Sequence, residues 1–217
     1  MNQKQAKQKG AALVARLKEI YPDASCALQS EGDPFRLLVM AILSAQCTDA
    51  RVNLVSRGLF AAFPDARTMA AADLTQIEEH IRSCGLYKTK AKNIRAASEK
   101  LLLDYEGQVP SDMEALLALP GVGRKIANLI RGDVFGLPAI VTDTHCIRLA
   151  GRFGFCAPSE KNPFRIERIL TDVIPAQEQS DFCHRLVWFG RDTCTARNPA
   201  CGRCPLADLC ENGPDKT

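Results

Sequence analysis

Four cysteines near the end of the sequence have the residue type and the spacing to bind an inorganic centre. Cys194, Cys201, Cys204 and Cys210 form a C-x6-C-x2-C-x5-C run within seventeen residues. Thiolates are the ligands of iron–sulfur clusters, and they also bind zinc. The gaps of six, two and five residues do not follow the paired pattern of a zinc ribbon. The run therefore favours a four-cysteine iron–sulfur cluster, with a zinc site or two disulfides as the alternatives.

A second candidate site is a glycine-containing turn between two helical patterns. Residues 119–125 read Leu-Pro-Gly-Val-Gly-Arg-Lys, so one predicted helix ends at the proline and the next begins at Arg124 and Lys125. Gly121 and Gly123 permit positive φ and the close approach of another backbone. Because the amides and the dipole of a helix N-terminus attract anions, the turn predicts a phosphate site. An ordinary helix–helix turn is the alternative.

The composition is that of a soluble globular protein with one large or two small domains. The chain has 217 residues, of which 46% are hydrophobic and 24% are charged. Its net charge of +3 permits a polyanionic partner without requiring one. The sequence shows neither a signal-peptide pattern nor an apolar stretch of about 20 residues. We therefore expect a cytoplasmic protein in which the remaining cysteines are free thiols, namely Cys26, Cys47, Cys84, Cys146, Cys156 and Cys183.

Apolar residues recur with helical spacing along most of the chain, and no alternating segment predicts a strand. Residues 35–43 are apolar almost all round, which is typical of a helix buried inside a bundle. Two helix starts carry N-cap residues, one with Ser111 and Asp112 after Pro110 and the other with Asp73. The sequence therefore predicts an all-α fold, with helices near residues 11–21, 35–43, 51–63, 73–84, 88–104, 112–119, 124–135, 145–153, 162–174 and 181–190.

Five motifs in the same order resemble the endonuclease III family of DNA glycosylases. The turn at 119–125 resembles the helix–hairpin–helix signature of that family. Residues 141–145 read Val-Thr-Asp-Thr-His and resemble the segment that contains the family's invariant aspartate. The aspartate of this segment, Asp143, follows Lys125 by eighteen residues. The cysteine run matches the family's [4Fe-4S] loop gap for gap. Residues 43–49 and 85–87 also fall where family motifs belong.

The resemblance implies two helical domains with a DNA-binding cleft between them. A six-helix domain would span residues 27–137 and contain the helix–hairpin–helix at about 112–135. Residues 1–26 and 138–217 would form the iron–sulfur domain, in which the four cysteines of the run hold a [4Fe-4S] cluster. Lys125 and Asp143 would face each other from the two domains. The cluster would be structural, folding a basic loop that also carries Arg191, Arg197 and Arg203.

The chemistry that the resemblance implies is that of a bifunctional DNA glycosylase and abasic-site lyase acting on oxidised pyrimidines. Lys125, as a neutral amine, would attack the sugar C1′ and displace the damaged base, forming a Schiff base. The neighbouring Arg124 would disfavour protonation of that amine. Asp143 would stabilise positive charge on the sugar, and β-elimination would then cut the strand. Lys125 could instead be a plain phosphate contact, and Asp143 could also act as an N-cap.

The resemblance also implies further contacts to duplex DNA that contains a damaged base or an abasic site. Gln46 would fill the gap left by the flipped nucleotide, and Leu86 would wedge into the stack, unless Leu86 is a core residue. His145 would contact the backbone or the base pocket. The lysines after Leu86 could face DNA or form a solvated helix face. The hairpin would bind phosphate through Gly121, Val122, Gly123 and Arg124. We expect a monomer that needs no membrane and lies near the bacterial nucleoid.

Several positions depart from the family pattern. Ile126 stands where a threonine is typical, Thr142 where a valine is usual, and Cys47 where alanine is common, and residues 131–133 replace a more apolar stretch. These departures bear on the range of lesions and on the efficiency of the lyase step. Two alternatives stay open. One is a monofunctional adenine or mismatch glycosylase, which usually lacks the lysine at position 125. The other is a non-catalytic paralogue that only binds lesion DNA.

Overall fold

Helices follow one another along the whole described part of the chain. A computed structural model describes residues 2–211, and no strand occurs within that range, so the all-α prediction is confirmed. Short 3₁₀ turns precede the last helix and bend the cysteine loop. The helices are α1 (Gln3–Ile20), α2 (Pro34–Leu43), α3 (Asp49–Ala62), α4 (Ala66–Ala71), α5 (Leu74–Ile81), α6 (Tyr87–Tyr105), α7 (Met113–Leu117), α8 (Arg124–Asp133), α9 (Thr144–Arg152), α10 (Pro163–Val173) and α11 (Gln179–Asp192).

The contacts divide the chain into two units. One is Cys26–Phe135, and the other combines Met1–Ser25 with Gly136–Thr217. The first unit contains α2 to α8, and the second contains α1 and α9 to α11. No pattern in the sequence predicts α4, because its six residues are too few to show an apolar stripe. It begins instead with a capping box formed by Asp65 and Thr68.

The core of the first unit is built around α2. Every residue from Leu37 to Leu43 is at most 5% exposed, as the apolar pattern of this helix predicts. Helices α3, α6 and α8 all contact α2. Each fully buried leucine or isoleucine contributes about 1.5–3 kcal/mol. This core therefore fixes the two helices, α6 and α8, that begin at the predicted DNA contacts.

The second unit packs α1 against α10 and α11, and α9 against the same two helices. Leu13 and Leu17 of α1 are fully buried. A side chain at Gly10 would collide with the carbonyl oxygen of Val173, so the approach of α1 to α10 requires a glycine there. Within residues 2–211 no helix is both long enough and apolar enough to cross a bilayer.

The predicted N-caps at Asp73 and Asp112 are confirmed. The Asp112 side chain accepts a hydrogen bond from the backbone N–H of Ala115 at 2.9 Å. The Asp73 side chain accepts one from the N–H of Thr75 at 3.2 Å. Such caps typically contribute about 1 kcal/mol each. The Asp112 cap sets the start of α7, which is the first helix of the hairpin.

Candidate functional site

The turn between α7 and α8 requires a glycine at position 121. Gly121 has φ +82°, and a Cβ added there would lie 2.9 Å from the Cβ of Asn93. The N–H of Val122 donates to the carbonyl of Leu119 at 3.1 Å, which closes the turn, and Val122 itself is buried. Steric contact with α6 and a left-handed backbone therefore both exclude larger residues at position 121.

Gly123 serves a different purpose. Its φ of −98° is that of extended backbone, so Gly123 does not use the positive φ that a glycine permits. Within residues 2–211, no atom outside Gly123 and its two chain neighbours lies within 4 Å of the position that a Cβ would occupy. Gly123 is the N-cap of α8, and it offers no side-chain cap to the helix amides. The space in front of these amides is thus open on the side of Gly123, which is the arrangement that suits an anion.

Lys125 lies in the first turn of α8 and is exposed, as is Arg124. Ile126, the next residue, packs partly buried against the hydrophobic core. Further along the helix, Arg131 donates from Nη1 to the carbonyl oxygen of Ser111 at 2.8 Å, which ties α8 to the segment before α7. The departure from the family pattern at Arg131 therefore has a structural role in holding the hairpin together.

Gln46 and Leu86 lie in two segments that touch. Both residues have left-handed backbone conformations, with φ of 52° and 59°, and both are exposed, Leu86 to 59%. A Cβ on Gly85 would lie 3.4 Å from the carbonyl oxygen of Gln46. Non-glycine residues in this region cost about 1–3 kcal/mol each, and such strain concentrates at functional sites. The alternative of Leu86 as a core residue is wrong.

The lysines after Leu86 do not form a single exposed face. Lys88 and Lys92 are exposed, but Lys90 is only 3% exposed, and its ammonium has no hydrogen-bond partner among the described residues. Both sequence interpretations are therefore wrong for Lys90. The burial of Lys90 could have been predicted from the sequence. Lys90 precedes the buried Ile94 by four residues on α6, so the two lie on the same face of the helix.

In the second unit, Asp143 caps the N-terminus of α9. Its Oδ1 accepts a hydrogen bond from the N–H of Cys146 at 2.7 Å, so the N-cap expectation is confirmed. The Asp143 side chain is half-buried. The preceding residue, Thr142, is buried, and its hydroxyl has no hydrogen-bond partner among the described residues. The cap directs one carboxylate oxygen to the helix and holds the side chain in one place.

His145 is held by α9 and α11 together. Arg148 lies one turn further along α9 and its Nη2 is 3.1 Å from His145 Nδ1. Because a guanidinium has only donors, Nδ1 accepts this hydrogen bond and the proton of a neutral ring resides on Nε2. A side chain at Gly190 would collide with the same ring nitrogen. The ring is therefore fixed in position and in tautomer.

The four cysteines of the run line one cavity of about 250 Å³. All four are half-buried. Burial and, to a smaller extent, the charges of the other three cysteines raise the pKa of Cys204, although a backbone hydrogen bond from Leu206 opposes this rise. Thiolates this close repel one another unless a cationic centre neutralises them, so the set suits an iron–sulfur cluster. The cavity is also lined by Arg152, Phe153, Phe189, Thr193, Pro199, Ala200 and Ala207.

The same cysteines line a cavity and do not converge on one point. Among residues 2–211, no group of three His, Cys, Asp or Glu side chains is arranged to hold one ion. Zinc would draw its sulfur ligands to about 2.3 Å, whereas these cysteines stand around a cavity. The arrangement therefore fits a cluster better than the zinc alternative.

Two arginines of α9 attach the cysteine loop to the helix that follows Asp143. Arg152 Nη1 donates to Cys194 Sγ at 3.0 Å and to the carbonyl of Thr195 at 2.8 Å. Arg148 Nη2 donates to the carbonyl of Cys194 at 3.1 Å. Burial and then the charge of Arg152 lower the pKa of Arg148, but a guanidinium stays charged. Sequence spacing alone gives no sign of these contacts, because the arginines lie about 45 residues from the loop.

Comparison with known proteins places the chain in a family. Residues 39–176 match the profile described as HhH-GPD superfamily base excision DNA repair protein. Residues 194–210 match the iron-sulfur binding domain of endonuclease III. The chain is 46% identical over 205 residues to endonuclease III of Synechocystis sp., which covers 94% of the chain and 92% of the relative. The chain belongs to the endonuclease III family.

Further relatives and solved structures support the same family assignment. Endonuclease III of Escherichia coli is 40% identical over 205 residues, covering 94% of the chain and 96% of the relative. A trapped endonuclease III–DNA covalent intermediate has 41% identity and a TM-score of 0.89, covering 97% of this chain and 98% of that one. A thermostable thymine-DNA glycosylase, at 22% identity and a TM-score of 0.86, shares the fold.

Membership of the endonuclease III family defines the class of activity. The chain is a DNA glycosylase and abasic-site lyase of base excision repair, it binds DNA, and it carries a [4Fe-4S] cluster. The prediction from the sequence motifs is confirmed at this level.

Replacement of Cys201 by serine should remove the cluster. Serine is a harder and much weaker ligand for iron, so we expect loss of the visible absorption of an iron–sulfur protein and a lower unfolding temperature. The matched control is Cys156→Ser, a half-buried thiol of the same unit outside the run. The visible spectrum and the iron content per chain provide the measurement. Full colour in the Cys201→Ser protein would remove that residue from the ligand set.

Proposed function

We propose that this chain removes oxidised pyrimidines from duplex DNA through a Schiff base on Lys125 and then cuts the strand by β-elimination. The observation that carries the proposal is the start of α8. There an exposed lysine follows an uncapped glycine N-cap and open space that an incoming phosphate backbone can occupy. The relative that was trapped as a covalent intermediate with DNA supports covalent chemistry in this family.

Lys125 acts as the nucleophile. Its Nζ, in the neutral form, attacks C1′ of the flipped nucleotide, and the bond from C1′ to the base breaks with its electron pair leaving on the base. The resulting amine adduct opens the sugar ring to an imine. The imine acidifies the 2′ hydrogens, and loss of one of them expels the 3′ phosphate. The strand is thus cut on the 3′ side of the abasic site.

Asp143 stabilises the positive charge that develops on the sugar as the base departs. One of its carboxylate oxygens accepts the hydrogen bond from Cys146 N–H, which orients the group. The negative charge of the side chain is what the reaction needs, whereas the cap needs only an oxygen acceptor. His145, with its proton on Nε2, acts as a donor toward a phosphate or the extruded base.

Gln46 and Leu86 enter the duplex when the damaged nucleotide leaves the stack. Leu86 inserts as an apolar wedge, and Gln46 fills the vacated position. Their exposure and left-handed backbone support this role, because both side chains are already presented to solvent and not stored in the core. The two segments touch at Gly85, so they act on the duplex as one corner.

The hairpin binds one DNA strand through Gly121, Val122, Gly123 and Arg124, using the amides at the start of α8. The [4Fe-4S] cluster, held by Cys194, Cys201, Cys204 and Cys210, supplies a structural centre that orders the loop bearing the exposed Arg197 and Arg203. With cysteine at every ligand position, it offers no open iron to a substrate. The protein acts as a monomer on chromosomal DNA in the bacterial cytoplasm.

The two hairpin glycines should give opposite results when each is replaced by alanine. Gly121→Ala places a Cβ against Asn93 at positive φ, and it should destabilise the fold by about 1–3 kcal/mol. Gly123→Ala meets no protein atom and keeps an ordinary φ, so stability should hold. The new methyl group should instead weaken binding to duplex DNA. Thermal unfolding and DNA titration of both variants provide the measurement. Equal effects of both on stability would contradict this assignment.

The proposed activity can be tested with a panel of duplexes carrying an oxidised pyrimidine, an abasic site or a mismatch, each with and without borohydride. We expect base release and nicking on the oxidised pyrimidine, nicking on the abasic site, and a borohydride-dependent covalent adduct with both. Base release from a mismatch without any adduct would support the monofunctional alternative. Binding without release would support the non-catalytic one.

A further inference from the structure

Two cysteines flank the corner formed by Gln46 and Leu86. Cys47 directly follows Gln46, and Cys84 directly precedes Gly85 and Leu86. Burial and then the Cys47 side chain raise the pKa of Cys84, so the two thiols influence each other. Together with the approach of Gly85 to the Gln46 carbonyl, this places the two sulfurs at the point where the two segments meet.

The two thiols differ in access to solvent. Cys84 is 1% exposed, whereas Cys47 is half-buried and follows an exposed residue. Burial, followed by the Cys47 side chain, raises the pKa of Cys84 to about 11, so Cys84 keeps its proton at neutral pH. Cys47 is therefore the sulfur that a small oxidant reaches first.

Positive charge lies beside this thiol pair. Lys90 and Arg51 both act on Cys84, in the direction that favours a thiolate. Lys90 is 97% buried, and its ammonium has no hydrogen-bond partner among the described residues. This charge opposes the effect of burial on Cys84 without overcoming it. The pair thus combines access, a partner thiol and a nearby cation.

We propose that Cys47 and Cys84 form a reversible oxidation site, at which a peroxide converts the two thiols to a disulfide. The Cys47 thiolate attacks one peroxide oxygen, so an S–O bond forms, the O–O bond breaks and hydroxide leaves. Cys84 then attacks the sulfenic sulfur, so the S–S bond forms, the S–O bond breaks and water leaves with the Cys84 proton. The two thiols lose two electrons in total, and the peroxide is reduced by the same two.

The disulfide would restrain the corner that the proposed function assigns to DNA insertion. Gln46 and Leu86 each lie next to one of the bridged cysteines, so their backbones would lose freedom of relative movement. We expect the oxidised protein to bind duplex DNA with an abasic analogue at least about fivefold more weakly, the lower end of a usual coupling between sites. This part of the inference depends on the proposed function, whereas formation of the bond does not.

The remaining thiols outside the cysteine run serve as internal controls. The Cys183 side chain and burial raise the pKa of Cys146, and these two thiols are only 1% and 3% exposed, so the fold shields them. Burial raises the pKa of Cys26 to about 12, which leaves it protonated and unreactive. Cys156 is half-buried, but burial and then the charge of Glu160 raise its pKa, which disfavours its thiolate. Oxidation is therefore expected first at Cys47 and Cys84 in the folded protein.

To test this proposal, the cluster-containing protein is treated with hydrogen peroxide and then digested with trypsin in the absence of a reductant. The expected product links residues 37–51 to residues 83–88, which contain only Cys47 and Cys84, respectively. A thiol reductant should separate the two peptides, and the visible spectrum should confirm that the cluster survives. Oxidation of Cys47 to sulfinic acid with no cross-link, or a cross-link to any other cysteine, would overturn the proposal.

Two variants complete the experiment. Cys47→Ala should lose both the cross-link and the effect of peroxide on DNA binding, while Cys26→Ser should retain both. If the cross-link forms and binding does not change, the restraint on Gln46 and Leu86 is refuted. Retained base release and borohydride trapping in the reduced protein would show that the proposed function stands independently of that outcome.

Discussion

Replacing Lys125 by alanine is expected to abolish the borohydride adduct and to lower strand cleavage by about 10³-fold or more. The methyl group of alanine cannot form an imine, so the covalent route is lost entirely. DNA binding should survive, because the hairpin amides and Arg124 are unchanged. The measurements are single-turnover nicking of an abasic duplex and titration of an uncleavable abasic analogue.

The matched control for this variant is Lys7→Ala, which removes an exposed lysine of α1. It should nick and trap at the rate of the unmodified protein. Substantial nicking by the Lys125→Ala protein would refute the nucleophile assignment. Loss of DNA binding together with nicking would instead favour the alternative in which Lys125 is a phosphate contact.

Asp143→Asn should slow base release by about 10²- to 10⁴-fold while the fold is retained. An asparagine oxygen can still accept the hydrogen bond from Cys146 N–H, since asparagine and aspartate are comparable N-caps. The substitution therefore removes the charge and keeps the cap. The measurements are single-turnover base release and thermal unfolding of the same preparations.

Asp143→Ala provides the comparison that separates the two roles of this residue. It removes both the charge and the cap, so it should match Asp143→Asn in rate and unfold more easily by about 1 kcal/mol. If Asp143→Asn released base at the normal rate, the carboxylate would be only a structural cap. Equal loss of stability in both variants would show that the charge, and not the cap, supports the fold.

The sequence predicts the parts of the molecule that depend on local pattern. The apolar run of α2, the caps at Asp73 and Asp112, and the cysteine spacing each follow from residues close together in the chain, and each is found. Most helix boundaries shift by a few residues, and α1 begins at Gln3 and not near residue 11, because stripes of apolar residues do not show where hydrogen bonding begins. Short α4 has no stripe at all.

Contacts between distant residues could not be predicted in this way. The hydrogen bond from Arg152 to Cys194 sulfur joins residues 42 apart, and the Cys47–Cys84 pair joins two loops through tertiary packing. The left-handed backbone at Gln46 and Leu86 has no local signal either, because neither residue type favours it. The two hairpin glycines also look alike in the sequence, but only Gly121 has positive φ, whereas Gly123 is extended and its Cβ position faces open space.

The most direct test of the account is to find which amine of the unmodified protein joins the DNA. The protein is trapped with borohydride on an abasic duplex, the DNA is degraded, and the tryptic peptides are sequenced by mass spectrometry. The account predicts the sugar remnant on Lys125, within the peptide of residues 125–131 that trypsin leaves uncut at the modified lysine. An adduct on any other amine, or no adduct on a duplex that is nevertheless nicked, would contradict it.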